Sequence, residues 1–368
     1  MKKQIIFLGM LFIMFTSISK TKYVHYDISL GKVPLSAMFT DGDDNKYSVW
    51  GASMVKGEDN LYHIFYSKWP KKIGWSWVTD SEIAHAVSKS PYGPWTFKDV
   101  SLPRIGKGYW DGWCTHNPTV HKFNNKYYLY YMGNTGDAKI TCIPQKEVLN
   151  WSHRNNQRIG VAVADSPNGP WRRFDEPLID VSKNDTAYDC LLTSNPAICQ
   201  TAGGKYLFVY KGVGKKFSLP NGGPVVHMVA VSDSPTGPFV KSFDIIFNFK
   251  RECFPAEDPY IWFDDGLYHA IVKRIKWIDK KSICSLIQYE SKDGFDWKLA
   301  EHEKVSDLEI TWENGKHQIL QHLERPQLFI DNGKPLLLLC AADTIDSNNV
   351  RHSFNVQIPI IIKKYRKK

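Results

Sequence analysis

The chain has no Cys-x-x-Cys pair, no histidine-rich segment and no apolar run long enough to cross a bilayer as a mature helix. Its seven cysteines, Cys114, Cys142, Cys190, Cys199, Cys253, Cys284 and Cys340, are widely spaced and odd in number. No zinc site is expected from them, and no metal ligand is assigned; most should be buried small hydrophobes, with some pairing left open. A Ser/Gly/Pro-rich or single-charge linker is also missing. With 368 residues, 43% apolar and 14% aromatic, the chain should bury one large core as a single domain.

The longest apolar run, Ile5 to Phe15, follows Met1-Lys2-Lys3 and precedes the small polar residues Thr16, Ser17 and Ser19. This is the pattern of a signal peptide over residues 1–20, with residues 21–368 as the mature domain and cleavage near Ser19 or Thr21. No cysteine follows the run, so a periplasmic or secreted protein without lipid anchor or membrane span is expected. Net charge is +9, much of it diffuse or in the tail Lys363 to Lys368. For an exported chain that excess points to an anionic substrate rather than to nucleic acid.

What the chain does have is a repeat. SPYGPW (Ser90 to Trp95), SPNGPW (Ser166 to Trp171) and SPTGPF (Ser234 to Phe239) are close copies, and SKDGFDW (Ser291 to Trp297) is a worn fourth. Their glycines, Gly93, Gly169, Gly237 and Gly294, are 76, 68 and 57 residues apart, a small sheet with variable loops rather than a strict solenoid. A second element recurs upstream: WGASMV from Trp50, HNPTV from His116, SNPAI from Ser194, EDPYI from Glu257 and ERPQL from Glu324. Each is followed by a turn rich in Gly, Asn or Asp and then an aromatic or aliphatic run, the hairpin signal. A third strand follows in most units, as in Ala84 to Ser88, Gly160 to Asp165 and His227 to Ser232. Sheets of about four strands repeated around an axis make an all-β fold, a five-bladed β-propeller.

In such a fold the residues just before each repeated proline ring the mouth of the central funnel. That ring reads Trp50-Gly51, His116-Asn117, Ser194-Asn195, Glu257-Asp258 and Glu324-Arg325. Carboxylates converging on a funnel suit glycoside hydrolysis, which needs an acid for the leaving oxygen and a base or nucleophile. Glu257, Asp258 and Glu324, on adjacent blades, are the catalytic candidates; turn capping or bridging between blades is the alternative for each. Asp111, Asp189 and Glu252 stand five residues before three ring positions; a shared loop fastening is expected of the last two, and Asp111, beside Trp110 and Trp113, stays a site candidate. The loop Ser67 to Ile83 supplies Trp69, Trp75, Trp77, Lys68, Lys71, Lys72 and Glu82. Aromatic faces stack on sugars and clustered cations favour an anionic ligand, so Trp75, Lys68 and Glu82 are candidate contacts, with Lys211 and Arg274 at matching places elsewhere. A solvated basic rim is the alternative.

These motifs resemble the five-bladed propeller glycosidases, the clan of glycoside hydrolase families 43, 62 and 32 and relatives such as family 117. The resemblance covers roughly residues 47–342. It implies a base Asp before the proline of blade one, a pKa-setting Asp on blade two and an acid Glu on blade three, where this chain has Gly51, Asn117 and Asn195. The family 43 acids are therefore not carried over. Family 117 is nearer in its late Asp-Pro and its His/Glu chemistry close to the last blade. On that basis Glu257 and Glu324 are expected as the acid/base pair, with a base from a loop, Glu82 or Asp111, as the alternative, Asp258 as a like charge that raises a neighbour's pKa, and His116, Asn117, Asn195, His322 and Arg325 as substrate contacts. The resulting expectation is an exo-acting hydrolase trimming a terminal sugar from an oligosaccharide, plausibly uronate-containing or sulfated. A phosphorylase on the same fold and a non-catalytic carbohydrate-binding propeller are the alternatives. No cofactor is expected, and a calcium or sodium ion in the axial channel has no local motif for or against it.

Overall fold

The computed structural model describes residues 23–42, 46–140, 148–249, 252–279 and 281–366. Residues 1–20, expected as a signal peptide, and Cys142 lie outside the described residues. The chain enters through β1 (Val24–Leu30) and the short β2 (Met38–Phe39). Four antiparallel blades follow in sequence order. They are β3 to β6 (Tyr47–Lys56, Tyr62–Pro70, Glu82–Ser88, Thr96–Leu102), then β7 to β10 (Cys114–Phe123, Lys126–Asn134, Arg158–Ala164, Arg172–Arg173). The next two are β11 to β14 (Leu192–Gln200, Tyr206–Val213, Val225–Ser232, Val240–Ile246) and β15 to β18 (Ala256–Asp264, Leu267–Ile278, Lys281–Ser291, Trp297–Ser306). A small hairpin, β19 (Glu309–Thr311) and β20 (His317–Ile319), leads to β21 (His322–Asp331), β22 (Lys334–Ile345) and β23 (Arg351–Arg366).

The fifth blade takes its outer strand from the other end of the chain. β1 pairs antiparallel with β23 from Val24↔Arg366 to Leu30↔Ile360, so the two termini close the ring in one sheet. Tyr26 also donates its hydroxyl to Asp264 of blade four. The protein is thus the all-β, five-bladed propeller that the repeats predict.

Five apolar clusters lie at the five blade boundaries. Phe65 and Ile83 meet Val120 and Leu129 between blades one and two, and Tyr130 and Val161 meet Phe208 between two and three. Leu207 meets Ile261 and Ala270 between three and four, Trp262 meets Leu328 between four and five, and Ile64 meets Phe329 and Leu337 between five and one. The aromatic that ends each repeated turn packs into the cluster shared with the preceding blade: Trp95, Trp171, Phe239 and Trp297 in turn. Trp171 meets Phe65 edge-on at 5.2 Å, and Trp95 also donates Nε1–H to Gln357 of blade five. An aromatic pair of this kind contributes about 0.5–1.5 kcal/mol beyond its area, which explains why the turn repeats with its ring attached. The glycine of each turn copy has positive φ, between 76° and 83° across Gly93, Gly169, Gly237 and Gly294.

The six cysteines among the described residues are free thiols; Cys114, Cys190, Cys199 and Cys340 are buried, Cys284 half-buried and Cys253 exposed. No helix among the described residues is long and apolar enough to cross a membrane.

Candidate active site at the funnel mouth

Every first strand carries the same local distortion. Pairing with the second strand breaks after Trp50, His116, Ser194, Glu257 and Glu324, and resumes at Ser53, Thr119, Ala197, Tyr260 and Gln327. The residue after each break has left-handed φ: Gly51 58°, Asn117 53°, Asn195 55°, Asp258 53° and Arg325 53°. In blades two to five the next residue is proline, which has no N–H to give the ladder, and in blade one it is Ala52, whose N–H goes to Asn355 Oδ1 instead. Gly, Asn and Asp adopt the left-handed conformation at low cost, and Arg325 is the exception. The bulge turns consecutive residues toward the funnel, which is why the ring is made of residue pairs.

The inner members form a belt across blades. Asn117 Nδ2 donates to Asn195 Oδ1 at 3.0 Å, and Asn195 Nδ2 donates to Asp258 Oδ1 at 2.5 Å. Arg325 reaches Asp258 Oδ1 with Nη1 at 3.4 Å and the carbonyls of Asn117 and Pro118 with Nη2 at 3.2 and 3.4 Å. A side-chain carbon at Gly51 would lie 3.3 Å from Arg325 Cγ, so the missing side chain makes room for the guanidinium stem. Arg325, with 1% of its surface exposed, closes the floor.

Above the belt is a cavity of about 210 Å³, lined by Trp50, Trp69, Trp75, Trp77, His116, Asn117, Asn195, Lys211, Glu257, Asp258, Lys273, His322 and Glu324. Every blade contributes. Trp75 meets Trp50 and Trp69 edge-on, both at 5.1 Å, to form an aromatic wall. His116 stacks on Trp77 at 4.2 Å and shares a 2.7 Å hydrogen bond with Ser81 Oγ through Nδ1. Burial, then Arg325 and Lys211, hold His116 well below the usual imidazole range, so it is neutral.

The opposite wall carries the charges. Lys273 Nζ lies 3.1 Å from Glu257 Oε2 and 2.5 Å from Glu324 Oε1, while Lys211 Nζ donates to Glu257 Oε1 at 2.8 Å. Burial alone would raise the Glu257 carboxyl, but Lys211 and Lys273 overcome it and hold the group well below the carboxylate range. Asp258 moves the other way, to about 6, through burial first and then Glu257, against Arg325 and Lys273. The like-charge effect expected of Asp258 on a neighbour is therefore felt by Asp258 itself, because both lysines bond Glu257 directly and neither bonds Asp258.

His322 points Nδ1 at the fully buried Asp343, 2.9 and 3.0 Å from its two oxygens, and Arg351 Nε holds the same carboxylate at 3.1 Å. Burial would lower the imidazole pKa, but the bond to Asp343 and the Glu324 charge raise it. Sequence reasoning assigned neither Asp343 nor Lys273 to the site. The signal for Lys273 was its place on the second strand directly across from Glu257, where Lys211 stands across from Ser194.

Four expected contacts are engaged elsewhere, outside the cavity lining. Lys68 pairs with Asp41 at 2.5 Å between the rings of Tyr47 and Phe97, and Glu82 accepts from the Arg104 backbone N–H at 2.8 Å. Arg274 clamps Glu252 through two bonds of 2.6 and 2.7 Å. Asp111 accepts from Tyr131 and Arg173, as Asp189 accepts from Tyr210 and Lys241, so the three acids five residues ahead of the ring are alike in fastening loops. Arg325 lies beneath the cavity rather than in its wall. No group of three or more His, Cys, Asp or Glu among the described residues is placed to hold a metal ion.

No family model and no curated protein matches this sequence. Solved structures do. A family 117 glycoside hydrolase of the marine bacterium Zobellia galactanivorans superposes with a TM-score of 0.56 at 18% identity, over 92% of this chain and 90% of that one. A thermostable family 43 glycoside hydrolase gives 0.56 at 13% identity, over 92% and 96%. An endo-arabinase of Bacteroides thetaiotaomicron gives 0.55 at 12% identity, over 91% and 98%. At these identities the likeness establishes a shared fold, the five-bladed propeller of glycoside hydrolases.

Proposed function

We propose that the protein is an exported glycoside hydrolase that removes a terminal sugar from an oligosaccharide. The observation that carries the reading is the juxtaposition, in one tryptophan-walled cavity, of an Asp343-oriented His322 and a Glu324 carboxylate with one oxygen uncommitted. The fold's association with this chemistry, in the family 117 and family 43 enzymes it superposes on, agrees with it.

The exo mode rests on the closed floor. The cavity holds the space of about seven waters at ~30 Å³ each, the scale of a single ring, and the Asn117–Asn195–Asp258–Arg325 belt blocks passage beyond it. A sugar face would stack on Trp50 or Trp75.

Both oxygens of Glu257 are taken by lysines, so Glu257 serves to hold Lys211 and Lys273, and Glu324 is the base. Glu324 takes a proton from water as its oxygen attacks the anomeric carbon. His322 gives its proton to the glycosidic oxygen as the C–O bond breaks. Solvent then returns the proton from Glu324 to His322, leaving sugar and shortened chain as products. Asp258, half-titrated near pH 6, adjusts the field of the site rather than touching the reacting atoms.

An acidic sugar, a uronate or a sulfate ester, suits the charge. With His322 protonated, the three cations of the cavity wall (Lys211, Lys273, His322) match its three carboxylates (Glu257, Asp258, Glu324), and the buried Arg325 beneath the floor adds one further positive charge. A second reading, a carbohydrate-binding propeller without turnover, is favoured by the uncharged Gly51, Asn117 and Asn195.

The test is release of product from neutral, uronate-containing and sulfated oligosaccharides, with and without phosphate, by wild type, Glu324→Gln and His322→Gln. Phosphate-independent release of one sugar, lost about 10²–10⁴-fold in both variants, is expected. Binding without release would select the second reading, and phosphate dependence a phosphorylase.

A further inference from the structure

The link between second and third strands is a long loop in blades one to three and a short turn after Ile345↔Arg351 in blade five, while in blade four the pairing runs on to Ile278↔Lys281. Strand β15 ends its pairing at Ala256↔Arg274, yet β16 and β17 continue together from Ile275↔Cys284 to Ile278↔Lys281. Those four pairs form a two-stranded ribbon with no inner strand beside it. It stands on the cavity side of the blade, since the cavity-lining pair Glu257↔Lys273 is only two residues from its base at Ile275. Such a ribbon would ordinarily be polar. This one exposes Trp277 at 56%, Ile283 at 54% and Ile278 at 43%.

Alternation fixes which way the tryptophan looks. Lys273, Ile275 and Trp277 share one face of β16, with Leu286, Cys284 and Ser282 opposite them on β17. Lys273 on that face reaches Glu324 of blade five, and Leu286 is buried in the cluster between blades four and five. Cys284 agrees: burial pushes its thiol up, and the charges acting on it are Lys273, Glu324 and Glu257. Trp277 is four residues beyond Lys273, on the order of 13 Å along the strand. That is past a ring lodged in the cavity and in reach of the rings that follow it. No aromatic or cation partner covers the indole among the described residues.

Resting on the hydrolase reading above, we propose that Trp277 is a stacking platform for the leaving part of the oligosaccharide, making the protein selective for chains longer than a disaccharide. The cavity holds the ring to be removed, and the ribbon of blade four holds the chain behind it.

The experiment compares kcat/KM for wild type, Trp277→Ala and Trp277→Phe on size-fractionated oligosaccharides of two to six rings from neutral, uronate-containing and sulfated polysaccharides. For Trp277→Ala the preference for long over short chains should fall about 10-fold, from loss of one stacking contact. The disaccharide rate should be unchanged and Trp277→Phe should keep most of the preference. A preference unaltered in Trp277→Ala, or a loss equal at all lengths, overturns the proposal. So does a Trp277→Ala protein whose sedimentation mass drops to that of a single chain with no change in length preference, which would make the ribbon a contact between copies. The same fractions are titrated against Glu324→Gln by calorimetry. Length-graded affinity that needs Trp277, without release by wild type, would keep the platform and sink the hydrolase reading, while neither release nor binding would sink both.

Discussion

Gly51 and Arg325 occupy one another's space. A side-chain carbon on Gly51 would sit 3.3 Å from Cγ and 3.4 Å from Nε of Arg325, at a backbone φ of 58°. Blade one therefore gives the funnel no carboxylate because blade five extends an arginine across its position. The cation offsets Asp258, which lies on the belt between Asn195 and Arg325.

Gly51→Ala should lose about 1–2 kcal/mol from the left-handed backbone alone, with the contact to Arg325 adding to it. Arg325→Met should cost about 3–5 kcal/mol at pH 7, because it strands Asp258 without its cation. Denaturant titration measures both. An unchanged midpoint in Gly51→Ala would show that the belt is slack.

The pH dependence of turnover tests the His322–Asp343 pair. As a proton donor, His322 must be protonated, so the rate falls as pH rises through its pKa, which Asp343 and Glu324 hold above the ordinary value against burial. Asp343→Asn removes the stronger of those two supports. The alkaline limb of kcat/KM should then move to lower pH, with the acid limb unmoved. A limb that stays in place would take His322 out of the donor role.

Stability against pH tests Asp258. Its folded-state pKa of about 6 lies above the unfolded value near 4, so the folded protein binds the extra proton between them. The stabilisation is complete below pH 4 and is lost as pH rises to 6. Wild type should therefore lose on the order of 1–3 kcal/mol relative to Asp258→Asn between pH 4 and pH 7. Parallel curves for the two proteins would contradict the assignment.

The propeller was legible because its signals are short-range. A hairpin turn, a period-2 strand and the SPxGPW turn are each specified within a dozen residues, and their recurrence counts the blades. The ring of residue pairs was legible for the same reason, since the bulge is set by a residue that takes left-handed φ, followed by proline in four of the five blades. Glu257, Asp258, Glu324, His116, Asn117, Asn195, His322, Lys211 and Trp75 accordingly meet in one cavity.

What the charges do there was decided only when the blades closed. Lys273 joins Glu257 to a glutamate 51 residues away, Arg325 reaches back 208 residues to Asn117, and β1 finds its partner at the far end of the chain. A carboxyl group in Glu257-Asp258-Pro259 reads the same in sequence whether two lysines hold it well below the carboxylate range, as at Glu257, or burial and a like charge raise it to about 6, as at Asp258. Local chain geometry sets where a side chain stands; its protonation and its partners come from neighbours that only the closed ring brings within a few ångströms.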